Sequence, residues 1–128
     1  MAIRRIKTSE RVAVVYTGDP SIREPNPPAD GFDCREATPA DRVAGASVFV
    51  LRPINATELM GAAQRAAGDG ESRLIEMLRI GLLSLEGDPS PPVEVIESLP
   101  HAVRIALGRA VNRMSSESVD PFAKPSSG

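Results

Sequence analysis

Residues 47–67 read SVFVLRPINATELMGAAQRAA, and this stretch decides the fold class. Ser47 to Arg52 is rich in β-branched and aromatic residues and spells a strand. Pro53 ends it, because proline has no amide to give to a ladder. Asn55-Ala56-Thr57-Glu58 then opens a helix. The Asn55 side chain accepts from the free amides of the first turn, and Glu58 stands three positions on, as in a capping box. The helix is expected to run to about Ala67, with Leu59, Ala62, Ala63 and Ala66 on one narrow face. Gly68 is a natural left-handed stop. A strand feeding straight into a capped helix predicts an α+β chain.

Upstream, Arg11 to Tyr16 (RVAVVY) reads as a second strand, with Val12, Val14 and Tyr16 on one face and Ala13 and Val15 on the other. Gly18-Asp19-Pro20 stops it. The two strands are expected to form an N-terminal two-stranded antiparallel ribbon. Between them, residues 17–46 carry Pro20, Pro25, Pro27, Pro28 and Pro39 and read as a long Pro-rich insert, of a length that is uncommon without structure of its own. Within it, Ala37 to Ala44 suits one helical turn with Thr38 as N-cap and Pro39 at the first helical position. Residues 1–10 form a basic arm. Through Arg11, Arg4, Arg5, Lys7 and Arg11 face only Glu10, whereas residues 12–36 are net acidic. The arm reads as a solvated segment, as one that docks on an acidic neighbour or, least favoured, as one that lies on nucleic acid.

Downstream, Glu71 to Leu85 reads as the most apolar helix. Leu74, Ile75, Leu78, Leu82 and Leu85 make its main stripe, and Met77, Ile80 and Leu83 widen it nearly all round, as in a central or partner-covered helix. Gly87 ends it and Asp88-Pro89-Ser90-Pro91-Pro92 follows as a stiff link. Val93 to Ser98 is a short helix, broken at Leu99-Pro100 because the residue before proline disfavours helical geometry. His101 to Met114 is the last helix, with Val103, Leu107, Ala110, Val111 and Met114 facing inward. Residues 115–128 form a polar tail with one hydrophobic anchor, Phe122. The expected whole is a single small domain over residues 11–114: the ribbon, then a three- to four-helix half.

The composition narrows the chemistry. The 128 residues carry 15 Lys+Arg against 17 Asp+Glu, and a net charge of −2 argues against nucleic acid as the primary partner. The single Cys34 fits a reducing compartment and cannot close an internal disulfide. No apolar core follows the basic arm as in a signal peptide, and no run approaches a membrane span. One His and one Cys cannot supply a grouped zinc site. His101 beside Pro100 has no nucleophile signature around it, and Glu94 and Glu97 suit a solvated helix face. There is no phosphate loop and no dinucleotide fingerprint. Neither a cofactor nor an enzymatic activity is expected.

From Val48 onward the order of elements resembles the small assembly proteins of tailed bacteriophages, tail assembly chaperones in particular. The resemblance is carried by VLRPINATEL (Val50 to Leu59), LIEMLRIGLLSLEG (Leu74 to Gly87), VIESLP (Val95 to Pro100) and HAVRIALGRAVNRMS (His101 to Ser115), and covers residues 48–116. It implies a non-enzymatic phage protein, present in the host cytoplasm during assembly, that works by contact with other phage structural proteins. Two roles stay open. One is an accessory protein retained in the virion at capsid, connector or tail. The other is a chaperone that holds the tape measure protein and leaves before the particle matures. On either reading the expected partner-binding residues are Arg4 and Arg5 of the arm, Met77, Ile80 and Leu83 of the apolar helix, and Phe122 of the tail.

Overall fold

The structure, a computed structural model, describes residues 7–22 and 31–116. In chain order its elements are β1 (Val12–Tyr16), β2 (Cys34–Glu36), α1 (Pro39–Val43), β3 (Val48–Leu51), α2 (Ala56–Ala66), α3 (Gly70–Gly81), β4 (Leu82–Leu85), α4 (Pro92–Ser98) and α5 (His101–Ser116). The α+β class holds, and β1 and β3 do pair antiparallel, with Val14 opposite Phe49 and Val12 opposite Leu51. They are not an isolated ribbon. They are the centre of a four-stranded antiparallel sheet of order β2-β1-β3-β4.

Two corrections to the expected elements follow. The long insert is structured where it is described: Cys34–Glu36 adds to the free edge of β1, and Thr38 caps α1 with Pro39 at its start. Residues 23–30 of that insert, the arm's Arg4 and Arg5, and Phe122 lie outside the described residues. The helix expected over Glu71 to Leu85 ends at Gly81. Leu82 turns extended (φ −81°, ψ 123°), and Leu82–Leu85 becomes the fourth strand along β3. Its register skips one residue: Leu51 faces Leu82 while Val50 faces Ser84, so Leu83 is the extra residue of a bulge.

The elements downstream of β3 start and stop as their caps dictate. Asn55 Oδ1 accepts the Glu58 amide at 2.9 Å, and the Glu58 carboxylate accepts the Asn55 amide at 3.1 Å, closing the capping box of α2. Asp69 caps α3 by accepting from the Ser72 amide. The turn between the two helices is left-handed at Ala67 (φ 52°) as well as at Gly68 (φ 88°).

One face of the sheet carries the core. Val14, Cys34, Phe49, Leu51 and Leu82 pack with Ile54, Met77, Leu78, Ile96, Leu107, Val111 and Met114 in one buried cluster. The helices α3 and α5 meet closely because Gly108 has no side chain. A Cβ there would lie 2.6 Å from the Leu74 carbonyl oxygen. The end of α5 is tied to the start of the helical half by Ser115, whose hydroxyl accepts the Ile54 amide at 2.9 Å and donates to the Val111 carbonyl at 2.7 Å.

Candidate interaction surfaces

The opposite face of the sheet carries Ala13, Val15, Val48, Val50 and Arg35, by the alternation of strand side chains. Val15 and Val48 face each other across β1 and β3 and are buried, yet stand outside the main cluster. What lies over them is α1, held from both sheet edges. From β2, Arg35 donates two hydrogen bonds to the Asp41 carboxylate at 2.7 and 2.8 Å. Just beyond β4, Glu86 accepts two from Arg42 at 3.0 and 2.9 Å. Asp41 also accepts from the Thr38 amide and hydroxyl. The Arg35 guanidinium, and after it the Thr38 donors, hold the Asp41 carboxyl well below the usual carboxylate range, against the opposing effect of burial. The segment is a strap across the outer face. It leaves Ala13, Val50 and Ser84 partly exposed at the other end of the strands.

The two outer strands of the sheet are finished differently. On β2 the Cys34 amide is taken by Asp33 Oδ1, the Cys34 carbonyl by Arg113, and the Glu36 carbonyl by Arg35, so side chains occupy the edge. On β4 the bulge at Leu83 interrupts the line of the strand, which is the other common way of blunting an edge.

The expected contact residues separate. Met77 is 0% exposed and belongs to the core, which removes it from any surface of the folded chain. The reason is the face it shares: Leu74, Met77, Leu78 and Gly81 recur at three- and four-residue steps and lie against α5 and the sheet. Ile80 is half-buried and packs against the same cluster, and Leu83 is half-buried on β4 rather than on a helix. Among the described residues, the large apolar side chains that stand out are Val43 (89% exposed), Met60 (64%) and Val93 (50%), on α1, α2 and α4.

A groove runs beside the start of α5 that the pattern of the sequence did not announce. Its first part, about 370 Å³, is walled by Tyr16 and Phe49 from the sheet and by Leu99, Pro100 and Val103 from the α4–α5 junction. A second hollow of about 290 Å³ shares Tyr16 and Ala102 with it and continues along α5 past Phe32 and His101 to Arg109. Tyr16 and Phe32 meet edge to face with centroids 5.9 Å apart. Gly18 makes room for them, since a Cβ there would come within 2.6 Å of both rings. The rim acids are engaged: Asp19 accepts the Ser21 and Ser47 amides, and Glu71 meets His101 Nε2 at 3.0 Å. Arg109 is exposed and has no ion pair among the described residues. The one available signal was scarcity: three of only four aromatic residues, Tyr16, Phe32 and Phe49, gather here.

Cys34 is buried beside Val14, and burial first, then the Asp33 carboxylate, pushes its thiol up to about 12, with Arg113 opposing. His101 is exposed on the surface pair with Glu71. Among the described residues no three His, Cys, Asp or Glu side chains group as metal ligands, and no helix is long and apolar enough to cross a membrane. Compared with known proteins, the chain matches no family model, no curated sequence and no solved structure.

Proposed function

We propose that this chain is a non-enzymatic accessory protein of a tailed bacteriophage, acting through protein–protein contacts during assembly of the particle. The observation that carries the proposal is the resemblance of residues 48–116 to phage assembly proteins, which spans β3 through α5 and most of the core cluster. The surface supports it. A preformed aromatic groove and single exposed apolar side chains on three helices offer contact area. The only thiol is held protonated inside the fold.

A second reading within the same setting is a tail assembly chaperone for the tape measure protein. It is favoured by the particular elements that carry the resemblance: the proline turn into a capped helix at Pro53 to Glu58, and the Leu99-Pro100 break before the last helix. Quantitative mass spectrometry of purified particles and of their assembly intermediates tests both. A retained accessory protein is found in particles at fixed copy number. A chaperone is found with intermediates and is missing from finished particles. Absence from both contradicts the proposal.

A further inference from the structure

The groove beside α5 has a candidate occupant within the chain's own sequence. Its walls are largely apolar and aromatic, and α5 adds His101 and Arg109, while the rim acids Asp19 and Glu71 already have hydrogen-bond partners. Residues 117–128, which lie outside the described part, read ESVDPFAKPSSG. This segment pairs acidic residues, Glu117 and Asp120, with the one aromatic that the groove has not already gathered, Phe122. Charge and apolar character therefore match in the same order along both: acids toward Arg109, the ring toward Tyr16 and Phe49.

Reach decides whose segment it is. From His101 to Ser116 the helix is about 23 Å long at ~1.5 Å per residue. The six residues from Ser116 to Phe122 span at most about 20–22 Å when fully drawn out. The chain's own Phe122 arrives at the Leu99–Pro100 end only with that segment pulled straight, in the conformation with the least entropy. The same segment from a neighbouring molecule carries no such constraint. We infer that the groove seats the Phe122 segment of a second copy of this chain, with Asp120 of that copy on Arg109. This rests on the contact role proposed above and names one partner within it: the protein itself.

Sedimentation equilibrium of the full chain over a concentration series tests it. The wild-type chain is expected to self-associate. Phe122→Ala is expected to weaken association by about tenfold or more, as loss of a buried aromatic anchor does. Arg109→Glu and Asp120→Arg are each expected to weaken it, and an equimolar mixture of the two to regain it, because the groove of each variant then meets an oppositely charged tail on the other. Circular dichroism of the variants checks that the fold is intact. A wild-type chain that stays monomeric throughout, an association indifferent to Phe122→Ala, or a mixture no better than its components overturns the inference. None of these outcomes bears on whether the chain is found in particles, so the two proposals fail separately.

Discussion

The two faces of the sheet are closed by different physics. The inner face is sealed by aliphatic side chains from α2 to α5 around Leu107 and Leu78, where the driving force is area removed from water. The outer face is sealed over Val15 and Val48 by a five-residue helix that brings little apolar surface of its own, its Val43 pointing into solvent. That strap is fastened through the adjacent Asp41 and Arg42, to Arg35 of β2 and to Glu86 just beyond β4. A packed face resists everything except loss of volume. A fastened face is sensitive to charge, and so to pH and salt. The difference teaches where this molecule has local freedom: along the strap, not between the helices.

The sharpest way to break the comparison is to damage the packed side. Leu107→Ala is expected to cost about 3 kcal/mol, the usual range for a buried leucine that leaves a cavity. Chemical denaturation should show it as a lower midpoint for the whole domain. Gly108→Ala is expected to cost about 2 kcal/mol through overpacking, because the added carbon meets the Leu74 backbone and not a side chain that can turn aside. Asp41→Asn should cost less, about 1–2 kcal/mol, as loss of a cap and of its charge-assisted bonds. Its signature should be local: hydrogen exchange quickens at Thr38 to Ala46 and at Val15 and Val48, while the amides of α5 keep their protection. Arg42→Ala, which removes the solvent-exposed ion pair with Glu86, is expected to have the smallest effect, and that effect should shrink further with added salt.

The two faces should also part company with pH. Asp41 has its carboxyl lowered by folding, so the unfolded chain binds the proton more readily. The stability it contributes is complete above an ordinary carboxylate value of about 4 and is lost as pH falls toward its depressed value. Cys34, on the packed side, has its thiol raised from 9.0 to about 12. Its contribution is complete below the unfolded value and is lost as pH climbs through the interval up to about 12. Protection of the strap amides, relative to their intrinsic exchange rates at each pH, should therefore fall on acidification. The global midpoint should fall on the alkaline side, and Cys34→Ala should flatten that alkaline fall.

Much of the fold was legible where the signal is local. Val12 to Tyr16 and Val48 to Leu51 have strand composition, and the Thr38 and Asn55 caps are written in the residues that make them. What was not legible depends on neighbours distant in sequence. Cys34-Arg35-Glu36 has no strand composition and is extended because β1 offers an open edge. Leu82, Leu83 and Leu85 satisfy both a helical step and an alternating one, and only pairing with β3 settles which applies. The same ambiguity misplaced Met77. Counting strand residues as helix makes the helix look apolar all round and turns an inward methionine into a surface candidate. The groove was hidden for another reason. Tyr16, Phe49, Leu99 and Arg109 come from four separated segments, and no local pattern links them.

The central claim is that the chain contributes contacts to a growing phage particle. The most direct test is to delete its coding sequence from the phage genome that the proposal assigns it to, and count finished particles by electron microscopy and by infectivity. The account predicts that complete particles fall sharply, with unfinished structures accumulating, and that the intact chain supplied in trans restores them. Complete, infectious particles at unchanged numbers without the chain would contradict it.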